Sequence, residues 1–127
     1  MSNESLKKQA RSFKHAFRGF NFVFTTQLNF KTHLGAALLV ILAGIYFRLS
    51  QTEWLVIVLT IFLVLVVEVL NSAVELATDG LKEHKKTERD DFLIGVSKDV
   101  AAAAVLLSAI NSVIVGAVIF LPKAFTF

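Results

Sequence analysis

Apolar and polar positions divide this chain into one amphipathic segment and three long hydrophobic ones. In residues 5–24, Leu6, Ala10, Phe13, Phe17, Phe20 and Phe24 recur at i, i+3 and i+4 on one stripe. Lys7, Lys8, Arg11, Lys14 and Arg18 fall opposite, and only Phe22 breaks the pattern by joining the basic side. A Phe-rich face backed by a basic one predicts a helix lying in the headgroup region of an anionic membrane.

The first hydrophobic segment is 32–49, short enough that Lys31 and Arg48 snorkel to the two interfaces. Ser50, with Glu53 three residues on, fits a helix N-cap and its capping box, and Trp54 sits where an interfacial aromatic belongs. The second segment is 54–79, apolar to Val67 and then helical through Glu68, Asn71 and Glu75 to Asp79, with Gly80 as its stop. Residues 80–98 read as a charged loop. The third segment is 99–121, with Pro122 just past its end. These elements predict an all-α integral membrane protein of one domain.

Lys and Arg counts orient it. The N-terminal segment through Lys31 carries six and the 80–98 loop five, against Arg48 and Lys123 on the other side. The positive-inside rule places the N-terminus and the loop in the cytoplasm, the parity three spans require. The start of the chain mixes charges with aromatics and does not read as a signal peptide. Ala104, Ser108, Ser112 and Gly116 make a ridge of small residues on the third span, which permits close helix approach and suggests oligomerisation.

Composition narrows the chemistry. The chain has no Cys, and its three His residues are far apart, which argues against thiolate and zinc sites. A metal here is held by carboxylates, which suits Mg²⁺. No GxxxxGK[ST] or GxGxxG run is present to cradle a nucleotide.

The informative stretch is 68–79. At 100° per residue, Glu68, Asn71, Ser72, Glu75 and Asp79 share one face of a membrane helix. A carboxylate near the bilayer centre costs about 2.5–3.5 kcal/mol on insertion scales, so the default inference is a functional site. Glu75 or Asp79 suits Mg²⁺ with phosphate oxygens, and the deeper Glu68 suits a general base toward a lipid hydroxyl. Lys98 is placed to neutralise phosphate and Asp99 to orient Lys98. The competing readings are Glu68 as a group that only hydrogen-bonds across helices, and Lys98–Asp99 as a plain helix start.

At these residues the sequence resembles the prokaryotic diacylglycerol kinase family, whose signature E-x-x-N-[ST]-A-x-E-x-x-x-D is met by Glu68, Asn71, Ser72, Ala73, Glu75 and Asp79. Phe13–Gly19, Asn29–His33, Ser50–Trp54 and Lys98–Ala102 are similar to further segments of that family. The resemblance implies a homotrimer with active sites shared between subunits, ATP and Mg²⁺ as requirements, and phosphorylation of a lipid alcohol, diacylglycerol or undecaprenol, in a bacterial plasma membrane. No nucleic acid is among the implied partners. It implies Glu68 as base and Glu75 as metal ligand. Asn71, Lys98 and Asp99 become polar partners in the site, Asp79 joins the nucleotide- or substrate-binding set, and Lys8 or Arg11, together with His15, fall at contacts to nucleotide or substrate.

Two positions depart from the family pattern. Gln27 stands where the family has a second metal-binding Glu, and an amide there donates an oxygen without its charge. The 80–98 loop also looks longer than usual. Gln27 is the best support for the alternative reading, a non-catalytic scaffold or regulatory member. A proton or ion pathway through Glu68 and Glu75 is a third.

Overall fold

The computed structural model describes residues 2–126, which form four helices: α1 (Asn3–Thr26), α2 (Leu28–Tyr46), α3 (Gln51–Lys82) and α4 (Glu88–Phe125). Three of them, α2, α3 and α4, are long and apolar enough to cross a membrane. At 1.5 Å per residue α2 is about 28 Å long, close to the roughly 30 Å of a bilayer's hydrocarbon core. Helix α3 is about 48 Å long by the same rise, so its charged end projects beyond the core.

Helix α3 is central. It packs most extensively against α4, less so against α2, and briefly against α1. At its Trp54 end a small core forms from Leu49, Ile57 and Ile119, flanked by Val40, Trp54, Ile61, Val115 and Phe120. Gly44 lets the helices close here: a Cβ on it would lie 2.7 Å from Trp54 Cη2. The Phe47 and Phe120 rings, 5.9 Å apart, tie α2 to α4, and Lys123 reaches Glu53 at 3.1 Å. The turn between α2 and α3 holds Arg48 at a φ of 51°, a left-handed residue that reverses the chain within Phe47–Ser50. Ser50 and Glu53 form the expected capping box.

Several boundaries differ from the sequence reading. Helix α1 extends past 5–24 at both ends, because the Ser2 side chain accepts from the Ser5 N–H and starts it earlier. Helix α2 is offset from 32–49: it starts at Leu28, after the extended residue Gln27, and ends before Arg48. Gly80 does not stop α3, which runs on to Lys82, where the Lys82–Asp79 ion pair of 3.2 Å spans the last turn. The 80–98 loop contracts to residues 83–87. Thr87 caps the next helix by accepting from the Asp90 N–H while Asp90 accepts from the Thr87 N–H, a box that begins α4 eleven residues before 99. Pro122 lies inside α4, whose last turn is held by Lys123 on Glu53.

The small-residue ridge on α4 is used within the chain. Ser108 is buried, and Ser112 and Gly116 are half-buried beside α2 and α3, so close packing of α3 on α4 already consumes part of what suggested oligomerisation. Helix α1 docks through Val23 and through Phe20, whose ring stands perpendicular to that of the fully buried Phe30 at 5.6 Å. Phe13 and Phe17 remain exposed on its other apolar positions.

Candidate active site

Helix arithmetic sets the depth of each acidic group. With Trp54 at one boundary, Glu68 lies about 21 Å along α3, still inside a core of roughly 30 Å. Glu75 lies about 10 Å further, at the opposite boundary, and Asp79 about 6 Å beyond that.

Burial follows the same gradient. Glu68 is 1% exposed, Glu75 half-buried and Asp79 exposed. Ser72, also buried, donates its hydroxyl to the Glu68 carbonyl at 2.9 Å, one turn back along the helix. Asn71 is half-buried and turned toward an open groove of about 640 Å³ between α3 and α4, lined also by Val100, Ala101 and Ala104.

Glu68 Oε2 is buried and has no hydrogen-bond partner. Its nearest ionic neighbour is His33 Nε2, at 3.8 Å from α2, beyond hydrogen-bond range. A buried carboxylate oxygen left unbonded is expensive and uncommon. The packing around Glu68 therefore leaves one buried acceptor without a hydrogen bond beside His33. Sequence reasoning missed His33 as part of this site. The available signal was a titratable residue one turn inside a membrane span.

At the exposed end, Lys98 Nζ meets Asp79 Oδ1 at 2.9 Å, and Lys82 meets the same oxygen at 3.2 Å. The structure thus joins two predicted site residues from different helices. It also corrects the role given to Asp99: Lys98 is oriented by Asp79, while Asp99 is exposed and makes no ion pair among the described residues. Two cations thus share one carboxylate oxygen at this end of the bundle.

Gln27 is half-buried at the break between α1 and α2, where its N–H donates to the Val23 carbonyl at 2.9 Å. Arg11 and His15 are exposed on α1, around a surface recess shared with Glu4, Lys7 and Lys8. Among the described residues, no three His, Asp or Glu side chains converge as a ready-made metal cage. Glu75 offers one half-buried carboxylate at the membrane boundary, a donor of the type Mg²⁺ takes together with phosphate oxygens.

Comparison with known proteins bears on the same segments. A family model described as prokaryotic diacylglycerol kinase matches residues 14–120. An undecaprenol kinase of Bacillus subtilis is 38% identical over 118 residues, covering 93% of this chain and 92% of that protein. A diacylglycerol kinase of Synechocystis is 39% identical over 114 residues, covering 87% of this chain and 61% of that longer protein.

Proposed function

The chain belongs to the prokaryotic diacylglycerol kinase family and is a multi-pass membrane protein. On that premise we propose that it transfers the γ-phosphoryl group of ATP to the hydroxyl of undecaprenol, with diacylglycerol as the rival acceptor. The observation that carries this reading is the buried, unbonded Oε2 of Glu68, on the helix face that leads out to Glu75 and Asp79.

In this mechanism Glu68 accepts the lipid hydroxyl's proton as its oxygen bonds to the γ-phosphorus and the bond to the bridging oxygen of ADP breaks. Phosphoryl transfer needs little covalent help, so the remaining groups position and neutralise. Lys98, held by Asp79, supplies charge to the phosphates. Asn71 offers its amide beside the base. Arg11 and His15 on α1 are the nucleotide contacts. Glu75 and the Gln27 amide oxygen would hold Mg²⁺, which offsets phosphate charge when bound.

The lysine and arginine distribution supports a cytoplasmic N-terminus and puts the Asp79 end of the bundle on the ATP side. Exposed Phe13 and Phe17 support α1 lying against lipid. Asn111, exposed on α4 within its membrane span, supports assembly into a trimer, since an amide at that depth needs a partner across helices. Gln27 favours a second reading, a non-catalytic member of the family, because it removes one negative charge from the metal site.

One experiment separates the two. Purified protein in lipid is given labelled ATP with undecaprenol or with diacylglycerol, beside Glu68→Gln. A catalytic base predicts a loss of roughly 10²–10⁴-fold in turnover with the oligomer intact. Negligible transfer to either lipid by the unaltered protein would sink the kinase mechanism for this chain.

A further inference from the structure

The proposed base is enclosed. The Glu68 side chain is 2% exposed, and its Oε2 is buried without a hydrogen bond. A general base has to come within about 2.6–3.2 Å of the group whose proton it takes. No hydroxyl reaches that oxygen while the packing stands as it does. The His33 side chain, by contrast, is 24% exposed, and its Nε2 stands 3.8 Å from the same Oε2. The ring also borders a notch of about 110 Å³ between α2, α3 and α4, where it is the one titratable side chain in the lining. Thr60 and Ser112, which line the notch too, already donate to the carbonyls of Val56 and Ala109. His33 is thus the group that faces both the buried carboxylate and space a ligand can enter.

We infer that His33 is a further catalytic residue, which takes the proton of the acceptor hydroxyl and hands it to Glu68. The inference rests on Glu68 being the base and concerns how the proton gets there. Imidazole suits the task because its two nitrogens are distinct, so that one accepts a proton while the other gives one up. The ring starts with its proton on Nε2, beside Glu68. As the hydroxyl oxygen bonds to the γ-phosphorus its O–H bond breaks, and the proton goes to Nδ1. The bond from phosphorus to the bridging oxygen breaks, and its electron pair leaves with ADP. The Nε2 proton passes to Glu68 Oε2. The pair ends as a protonated carboxyl and a neutral imidazole in its other tautomer, with no charge left on the ring.

This transfer needs a shorter contact than the one at rest. From 3.8 Å, a shift of about 0.6–1.1 Å brings Nε2 into hydrogen-bond range of Oε2. Catalytic hydrogen bonds are commonly long before substrate arrives and tighten in the reacting complex. Rotation of the half-buried ring supplies such a shift more readily than the enclosed carboxylate does, and Oε2 has no other hydrogen bond to give up for it.

A histidine that only held the carboxylate in place would be replaceable by another donor. His33→Gln separates the two roles, because a glutamine amide donates to Glu68 but cannot take up a proton and pass one on. The assay uses the full chain in phospholipid vesicles, with ATP and whichever of undecaprenol and dioleoylglycerol the unaltered protein phosphorylates. Turnover of His33→Gln should fall by roughly 10²-fold or more, with both KM values within about threefold and the denaturation midpoint unmoved. His33→Ala vacates the ring's place beside the notch, so free imidazole should raise its turnover saturably, by about tenfold or more. A His33→Gln protein that keeps more than about one-tenth of normal turnover overturns the proposal, as does a His33→Ala protein that imidazole leaves unimproved. An active His33→Gln beside an inactive Glu68→Gln would keep Glu68 as base and remove the relay. An active Glu68→Gln beside an inactive His33→Ala that imidazole restores would remove Glu68 as base and leave His33 as the group that takes the proton. Transfer to neither lipid by the unaltered protein overturns both.

Discussion

Phe30→Ala should loosen the surface helix from the bundle and weaken nucleotide use more than lipid use. Phe30 is fully buried, and its ring stands perpendicular to that of Phe20 at 5.6 Å, the one aromatic contact described between α1 and α2. In a bilayer the transfer part of a core truncation is small, because the exposed surface meets lipid rather than water. What remains is the cavity and the lost ring contact. A residual cavity of roughly 50–100 Å³ at about 24 cal/mol per Å³ costs about 1–2.5 kcal/mol. An edge-to-face pair adds about 0.5–1.5 kcal/mol. The sum is about 1.5–4 kcal/mol, most of it falling on the α1–α2 junction at which Gln27 sits. Two assays read it. Denaturation in mixed micelles should show that loss for Phe30→Ala and less than half of it for Phe30→Leu. Trypsin should cut α1 at Lys14 and Arg18 faster, while the KM for ATP rises several-fold, since Arg11 and His15 travel with α1. A Phe30→Ala protein within about 0.5 kcal/mol of the unaltered one, with unchanged cleavage of α1, would refute the packing argument.

Three further outcomes follow from named contacts. Gly44→Ala places a Cβ 2.7 Å from Trp54 Cη2 and 3.0 Å from Leu49 Cδ1, and overpacking of that kind should cost about 1–3 kcal/mol in a thermal or denaturant midpoint. Gln27→Glu adds a negative charge at the proposed metal site, so half-maximal activation should need less Mg²⁺ in a titration of turnover; an unchanged titration would mean that another oxygen already serves. Lys98→Met should lower kcat/KM by roughly tenfold or more, as loss of a charge-assisted contact to phosphate does, with the denaturation midpoint almost unmoved, because Asp79 keeps Lys82 at 3.2 Å.

Much of the architecture is legible in the residues. Twenty or so apolar positions in a row have one stable solution in lipid, so the existence of α2, α3 and α4 needs no tertiary information. Boundaries were harder. Gly80 and Pro122 carry the ordinary stop signals, yet neither stops its helix. At Gly80 the ion pairs of Asp79 with Lys82 and Lys98 brace the last turn. At Pro122 the ion pair of Lys123 with Glu53 does so. The charged run 80–98 resembled a loop because charge was weighed above capping. Thr87 and Asp90 stand at box spacing, and a helix that projects beyond the hydrocarbon core has no reason to become apolar.

The pairing of Glu68 with His33 is tertiary, but its register has a visible origin. Helices α2 and α3 run antiparallel from the turn at Phe47–Ser50, and Trp54 folds back over Gly44 to fix how they slide. Val40 and Ile61 then flank the same small core. Seven residues further from the turn on each helix, two turns apiece, stand His33 and Glu68, at 3.8 Å. Any slide of one helix by a turn would set Glu68 against Asn29 and Phe30 or against Ala36 and Ala37 instead, and the unbonded oxygen would lose its neighbour. The geometry offered to a lipid hydroxyl is therefore set about 16 Å away along α2, by a glycine under a tryptophan at the opposite boundary. For that reason a substitution at Gly44 should reduce turnover as well as stability, although it touches none of the reacting groups.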